Sequence, residues 1–540
     1  MRDFAHLLDR LSLTASRNAK LVLVRDYLAV TPDPERGYAL AAMTGDLVFR
    51  AAKPAMIREA VAQRVDARLF ALSYDFVGDL AETAALIWPA RPGANAPPTL
   101  ADVVEGLEGA DRKTAAARME TWLDALDADG RWALLKLITG GLRVGLSVRL
   151  ARQAVLMLAV PEAGPVVLGD LEELWHGLAP PYTDLFAWLE GRGPRPAPDP
   201  AGRFRPAMLA HALDEETELE AITPDLFAAE WKWDGVRVQA VGEQGQARLY
   251  TRTGEDISAA FPDLMGALAF EGVVDGELVV RRGEVLGSFS DLQQRLNRKT
   301  ATAALMAAHP AAIRAYDLLA EGADDLRPRP FRERRARLEA FVAAHAGTRL
   351  DLSPLQPFDG PAHLAQLRAD PPEGNARLAE GLMLKRWDSP YLAGRPKGPW
   401  FKWKRAPFLV DAVMLYAQRG HGRRSGLYSD FTFGVWREGA LTPVGKAYSG
   451  FTDAELKLLD RYVRENTVET FGPVRRVRAE PDHGVVLEIA FEGLQRSPRH
   501  RSGLAMRFPR IHRLRLDKPP READDIAVLE RLLSGGGLPG

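Results

Sequence analysis

Residues 191 to 202 read GRGPRPAPDPAG, with prolines at 194, 196, 198 and 200. Each proline lacks a backbone donor and pushes the preceding residue away from helical geometry. The segment therefore cannot be helix or central strand, and its composition favours a semi-rigid extended linker. A chain of 540 residues is too long for one core. A domain boundary is expected here, and the texture of the sequence changes across it.

Before the linker the pattern is helical. Phe4, Leu7, Leu8 and Leu11 recur at helical spacing. Trp132 to Ile138 reads as a helix stopped by Gly140-Gly141, and Ser147 can cap a following helix bearing Leu150, Ala154, Val155 and Leu158. After the linker, strands dominate. Val236–Ala240 with Ala247–Thr251, and Val273–Val280 with Glu284–Leu286, read as hairpins. Ile313–Leu319, Leu382–Trp387 and Trp400–Arg405 read as further strands, with helices near Ser290–Leu296 and Phe331–Ala344. From Ala406 a smaller unit is expected, with strands at Ala412–Tyr416, Phe431–Trp436 and Val485–Phe491 and a helix at Asp453–Glu465. Small, basic and strand-rich, it suits a compact barrel such as an OB-fold. No internal repeat is visible. Low complexity is confined to the linker and the glycine-rich tail Gly535–Gly540.

The net charge of −1 does not announce a nucleic-acid partner. Its distribution says more. The first 200 residues carry 22 Lys+Arg against 26 Asp+Glu. Arg395–Arg424 and Arg496–Lys518 each hold eight basic residues against one acidic residue. Such runs suit phosphate-facing surfaces as well as ordinary solvated faces. The absence of cysteine excludes disulfides, thiol catalysis and cysteine-ligated zinc. The start MRDFAHLLDRL is charged and lacks a signal-peptide apolar stretch, and no apolar run is long enough for a bilayer. A cytoplasmic, nucleoid-associated protein without a membrane partner is the expectation.

The chemistry concentrates after the linker. Glu230-Trp231-Lys232-Trp233-Asp234-Gly235 places a lysine between tryptophans, just before a turn. Indole flanks can desolvate an amine and favour its nucleophilic form. Attack on a nucleotide α-phosphate would give a phosphoramidate, whose nitrogen leaves readily once protonated. Further strings follow in order. They are Asp275-Gly276-Glu277-Leu278, Glu380-Gly381-Leu382-Met383-Leu384-Lys385, Trp400-Phe401-Lys402-Trp403-Lys404-Arg405, Arg507-Phe508-Pro509-Arg510 and Arg515-Leu516-Asp517-Lys518. Lys402 and Lys404 lie two apart on a strand and should share one face, with Phe401 and Trp403 on the other.

In order and spacing these strings resemble the nucleotidyltransferase motifs of ATP-dependent DNA ligases, RNA ligases and mRNA capping enzymes. Thr251-Arg252-Thr253-Gly254 and Ala315-Tyr316-Asp317-Leu318-Leu319 look like two further motifs of the set. The resemblance covers essentially the whole chain. It implies an all-α N-terminal DNA-binding domain (1–190), the linker (191–202), an α+β adenylation domain (203–405), a C-terminal OB-fold barrel (406–530) and a flexible tail (531–540). It also implies roles. Lys232 is the catalytic nucleophile that becomes lysyl-AMP. Glu230 accepts from the adenine amino group, and Tyr316 stacks on the base. Arg237 and Arg252 hold phosphate and ribose with forked donors. Glu277 serves the ribose and, with Glu380, a magnesium or manganese ion. Lys402 and Lys404 face the transferring phosphate. Arg515 and Lys518 approach the pyrophosphate when the barrel closes, which needs a hinge near Lys404–Pro407.

Gly140-Gly141-Leu142-Arg143-Val144-Gly145-Leu146-Ser147 resembles the signature of the helical DNA-binding domain in replicative and archaeal-type DNA ligases. Gly141, Arg143 and Gly145 are its candidate DNA contacts, glycine letting backbone amides approach phosphates. The opening residues and SFSDLQQRLNRK (Ser288–Lys299) look most like a bacterial subfamily named for the response to cisplatin damage. The resemblance points to an ATP-dependent DNA ligase that seals 5′-phosphate/3′-hydroxyl nicks in duplex DNA, with a monomer expected. Glu230 and the helical N-terminal region argue against an RNA ligase or capping guanylyltransferase. The lack of cysteine argues against an NAD-dependent ligase with its four-cysteine zinc site. Intact Lys232, Glu277, Glu380, Lys402 and Lys404 argue against an inactive nick-binding scaffold. Gly439–Lys446 resembles a phosphate-binding loop, but its spacing is one residue too long and Ala447 replaces Ser/Thr.

Overall fold

A computed structural model describes residues 1–533 except 48, 50, 90, 92–95, 176, 198–201, 297–300, 346–348 and 421–425, and the side chains of residues 75 and 76. Part of the proline-rich linker, the end of SFSDLQQRLNRK, the last residues of the Arg395–Arg424 run and the glycine-rich tail lie outside the described residues. The chain falls into two compact units. One comprises Met1–Pro165, Ala179–Pro194 and Pro407–Gly540, and the other Val166–Leu178 and Arg195–Ala406.

The described residues before the linker form helices and no strands, from Arg2–Leu13 to Thr183–Leu189. Phe4, Leu7, Leu8 and Leu11 are buried on the first helix, as their spacing requires. Asp127 caps Ala128–Thr139 by accepting from the Gly130 amide, and Gly140 ends it in the left-handed region. Ser147 caps Val148–Leu156 through the Leu150 amide. That helix stops two residues before Leu158, the last position expected on it.

The unit containing residues 195–406 is built on two sheets. One has the order His211–Ala212, Trp400–Lys404, Gly381–Arg386, Phe227–Trp231, Leu355–Gln356. The other runs Gln246–Thr251, Val236–Glu243, Gly272–Arg282, Ala311–Glu321, Asp324–Asp325. Val285–Leu286 adds to Gly272–Arg282, and Leu350–Leu352 adds to Ala311–Glu321. Residues 232–235 carry the chain from the first sheet to the second. Apolar residues of both sheets meet in one core cluster, where Val241, Val273 and Leu319 pack with Met208, Tyr391 and Trp400. The helix Phe331–Ala344 buries Phe331, Leu338 and Phe341, and also Arg334 and Arg335.

Both expected hairpins form, and the remaining expected strands of this unit lie within a residue or two of the observed ones. Sequence reading missed the short helices Ala303–Ala308 and Pro361–Ala369.

The C-terminal residues of the other unit form an antiparallel sheet in the order Ala440–Ala447, Tyr428–Arg437, Phe408–Arg419, Val474–Val477, Thr467–Phe471. Val486–Phe491 also pairs with Phe408–Arg419, and Arg510–Arg515 pairs with Val486–Phe491. The helix Asp453–Glu465 appears with the bounds expected, closed by a reciprocal Thr452–Glu455 capping box. The false phosphate loop at 439–446 is a turn and an ordinary strand. Ile526–Leu533 is helical, so the segment expected as tail from residue 531 begins as helix.

Candidate active site

The sheet-to-sheet crossing explains why Lys232 is presented where it is. Its strand ends at Trp231, and its backbone is clamped on both sides: the Lys232 amide donates to Gly381 O (2.8 Å) and the Glu380 amide donates to Lys232 O (2.7 Å). The following Gly235 permits a tight approach. A Cβ there would lie 2.4 Å from Leu278 O and 2.8 Å from Glu277 Cγ, so only glycine lets the chain turn against that strand. Lysine and Glu380, 148 positions apart, thereby become neighbours, and Lys232 Nζ donates to Glu380 Oε2.

Lys232 opens onto a cavity of about 520 Å³ lined only by residues between 209 and 404. The lining gathers Glu230, Arg237, Arg252, Glu277, Tyr316, Lys402 and Lys404, all expected at the site. Lys402 and Lys404 do share a face, together with Trp400, while Phe401 and Trp403 enter the opposite core. Glu380 also approaches Lys404 Nζ at 3.7 Å.

The electrostatics suit an anionic, multiply charged guest. Burial lowers the pKa of Lys402, and the neighbouring cations Arg395, Lys404, Lys232 and Arg252 lower it further. A phosphate group would relieve that crowding. Glu277 shows the converse. Its carboxyl is pushed up to about 8, chiefly by loss of water and also by Glu380 and Asp234, against the opposing pull of Lys232 and Arg237. A second cation near these carboxylates would relieve that strain. Glu277 lines the cavity and Glu380 bonds Lys232, and two such hard oxygen donors would fit magnesium, which commonly uses one or two carboxylates plus substrate phosphates. Among the described residues no cluster of three or more His, Cys, Asp or Glu side chains forms an all-protein metal cage.

Several expectations need correction. The indoles beside Lys232 line its cavity, but they also have structural partners of their own. Trp231 and Trp233 belong to a buried core cluster, Trp233 Nε1 donates to Ser353 Oγ at 2.9 Å, and the amine itself meets a carboxylate. Arg237 does not hold its fork open for phosphate. Its Nε and Nη2 bind Asp275 at 3.0 and 2.6 Å, and Nη1 donates to Met208 O at 2.6 Å. Tyr391 donates to the same Asp275 carboxylate at 2.6 Å. Arg237 is thus a half-buried brace within the cavity wall, its guanidinium 5.9 Å from the Tyr316 ring centroid. Arg252 remains exposed at the rim. Glu230 is almost wholly buried, with Arg335 and Lys385 on its two oxygens.

Arg515 and Lys518 are not part of the cavity lining. They lie in the C-terminal sheet region, where Arg515 Nη1 and Lys518 Nζ both bind Asp411 Oδ2, at 2.9 and 2.7 Å.

The lining also includes Lys385, Arg395 and Trp400, to which the sequence reading gives no role. Arg335, behind the lining, was missed. Its signal was weak, because an Arg-rich helix normally reads as a solvated face.

The 140–147 loop has its own character. Arg143 is exposed and held at φ 40°, in the left-handed region. Gly145 has φ 66°, and Lys20 Nζ donates to Val144 O and Gly145 O at 2.6 and 3.0 Å. Gly141 is half-buried beside the helix end. A cleft of about 270 Å³ adjoins the loop, lined by Arg17, Lys20, Gly145, Ser147 and Arg149 among others. The basic face that the region's acidic total hides is therefore local.

Comparison with known proteins gives a consistent answer. Residues 207–404 match the ATP dependent DNA ligase domain, and residues 424–518 match the ATP dependent DNA ligase C terminal region. A probable DNA ligase of Koribacter versatilis is 35% identical over 427 residues, covering 74% of this chain and 71% of that protein. DNA ligase 1 of Korarchaeum cryptofilum is 30% identical over 552 residues, covering 97% of each. The solved structure titled Pmar-Lig_PreS3 shares the fold at 16% identity, with a TM-score of 0.59 over 95% of this chain and 99% of that one. With motifs, cavity and relatives in agreement, the chain belongs to the ATP-dependent DNA ligase family and is an enzyme that seals DNA nicks with ATP.

Proposed function

We propose that Lys232 is the residue that carries AMP, and that nick sealing proceeds through its adenylate. The observation that carries this reading is the convergence of Lys232, Glu277, Lys402 and Lys404 on one cavity from strands far apart in sequence, with Glu380 bonded to Lys232.

In the first step Lys232 gives its proton to an acceptor, of which Glu380 is the one it touches. Its nitrogen lone pair attacks the α-phosphorus of ATP, the bond to the bridging oxygen breaks, and pyrophosphate leaves. In the second step a 5′-phosphate oxygen of the nick attacks the AMP phosphorus and the nitrogen leaves protonated. In the third, the 3′-hydroxyl attacks the activated 5′-phosphate and AMP departs. The protein positions the reactants and offsets charge. Lys402 and Lys404 stabilise negative charge on the transferring phosphate. Tyr316 stacks on adenine, Glu230 accepts from its amino group, and Arg252 reaches the ribose or phosphate from the rim. Arg237 serves by bracing this wall. Glu277 and Glu380 would hold a magnesium or manganese ion, which would offset phosphate charge as a Lewis acid. Arg515 and Lys518 are the proposed pyrophosphate contacts.

On the substrate side, Gly141, Arg143 and Gly145 are proposed to meet the backbone of a nicked duplex, supported by the basic cleft beside them. The proposed domains are a helical DNA-binding domain at 1–190, a linker at 191–202, an adenylation domain at 203–405 and an OB-fold at 406–530. The barrel assignment rests on the antiparallel order of the C-terminal strands. Further proposals are membership of the subfamily named for cisplatin damage, a monomeric state, and a cytoplasmic, nucleoid-associated location. No described helix is long and apolar enough to cross a membrane.

The test uses a nicked duplex and ATP labelled at the α-phosphate, with magnesium. Wild type should take up label and seal, NAD should not replace ATP, and Lys232→Ala should take up none. Equal labelling of wild type and Lys232→Ala would overturn the assignment.

A further inference from the structure

A buried group of charges lies behind the base-facing end of the cavity. Glu230, Arg335 and Lys385 expose 1%, 4% and 1% of their surface. Arg335 Nη1 donates to Glu230 Oε1 at 3.0 Å and to Ser353 O at 2.9 Å, while its Nε donates to Glu339 Oε1 at 2.7 Å. Lys385 Nζ lies 2.8 Å from Glu230 Oε2 and donates to Tyr316 O at 3.1 Å. Its ammonium also sits 4.6 Å from the Tyr316 ring centroid. Burying so many charges is costly, and apolar residues of similar volume often stabilise a core at least as well. The arrangement therefore asks for a reason other than stability.

Glu230 and Lys385 line the cavity, and Arg335 does not. Arg335 can influence a bound nucleotide only through Glu230. Each oxygen of Glu230 is held by a different cation, so the carboxylate cannot rotate freely. An ionised carboxylate accepts hydrogen bonds and donates none, with lone pairs left on both oxygens after one partner each. That matters for base choice. The six-position of adenine carries an amino donor, whereas guanine and hypoxanthine carry a carbonyl acceptor. A carboxylate pinned as an acceptor attracts the first and repels the others. If it lost one cation, the carboxylate would be free to rotate and would no longer present a fixed acceptor to the base.

We propose that Arg335 is a positioning residue for nucleobase choice, acting with Lys385 to hold Glu230 as a fixed acceptor for the amino group of adenine. The proposal rests on Glu230 as the base-reading group and adds the device that makes its reading selective.

The experiment measures self-adenylylation-type labelling kinetics with three triphosphates: ATP, inosine triphosphate, and purine riboside triphosphate, which has neither amino nor carbonyl at the six-position. The proteins are wild type, Glu230→Gln, Arg335→Lys and Arg335→Met, each checked for folding by circular dichroism and thermal melting. Arg335→Met should lower the preference for ATP over inosine triphosphate roughly 10- to 100-fold, the scale of one lost hydrogen bond to a charged group. The loss should appear mainly as a higher KM for ATP, and purine riboside triphosphate should be used almost as well as by wild type. Arg335→Lys keeps the charge without the fork and should recover part of the preference. If Arg335→Met does not fold, Arg335→Lys alone decides, and a wild-type preference in it overturns the proposal. An equal loss with all three triphosphates also overturns it, since that would be general damage. If Glu230→Gln keeps the wild-type preference, the reading of Glu230 itself fails. If Glu230→Gln loses the preference and folded Arg335→Met keeps it, only the role of Arg335 fails.

Discussion

Removing the charge of Glu277 should make the protein more stable and the enzyme worse, and the stability gain should grow with pH. In the folded protein this carboxyl is pushed from an ordinary value of 4.5 up to about 8, first by loss of water and then by Glu380 and Asp234, despite Lys232 and Arg237. The unfolded chain releases the proton near the ordinary value, while the folded chain keeps it to near 8. Between these values the native state binds more protons than the unfolded state, so stability falls as pH rises through the window. At about 1.4 kcal/mol per pH unit the cost of ionising Glu277 is at most about 4 to 5 kcal/mol. Residual exposure and relaxation of the Lys232–Glu380 pair reduce this to roughly 2 kcal/mol. Glu277→Gln lacks the ionisation. Urea unfolding of both proteins, followed by tryptophan fluorescence without added metal, should show nearly equal stability at pH 5. Wild type should fall behind by roughly 2 kcal/mol at pH 8 to 9. The difference between variants is the quantity to compare, because a multidomain chain need not unfold in one step. Magnesium added at pH 8 should recover more stability in wild type than in Glu277→Gln. A gap that does not change with pH, or a wild type that gains on the variant as pH rises, would refute the reasoning.

Other outcomes follow from the same geometry. Lys402→Met should slow adenylate transfer to Lys232 about 100-fold in single-turnover labelling, as expected for removing one preorganised charge at the reacting phosphate. Asp275→Asn should cost about 3 kcal/mol in urea unfolding, because it leaves the Arg237 fork half-paired in a buried wall. Arg143→Ala should leave labelling by ATP unchanged, weaken binding to nicked duplex, and flatten the dependence of log affinity on log salt by about one unit. An unchanged salt slope would remove Arg143 from the interface.

Much of the site was legible because its chemistry is written in ordered, short strings. The Asp234-Gly235 turn and the alternation of Lys402 and Lys404 carry direct geometric consequences, and both appear in the structure. What could not be read were partnerships made across strands. Arg237 looked like a phosphate donor because nothing local shows that Asp275 and Tyr391, 38 and 154 positions away, would take its fork. Likewise the string FRERRARLEA reads as a helix with a charged outer face. In fact Arg334 pairs with buried Asp317, and Arg335 with buried Glu230. Tertiary pairing overrides the usual placement of arginine at the surface. In the C-terminal region the long, apolar strands were visible. Val474–Val477 and Arg510–Arg515 were not, since they are short and rich in arginine and their β character comes from their neighbours.

The most direct test of the central claim is a chase without ATP. Enzyme loaded with labelled AMP, freed of nucleotide, should yield a single labelled peptide containing Lys232, and should pass its label to nicked duplex and release it as AMP on sealing. Label on a peptide lacking Lys232, or loaded enzyme that cannot discharge onto a nick, would contradict the account.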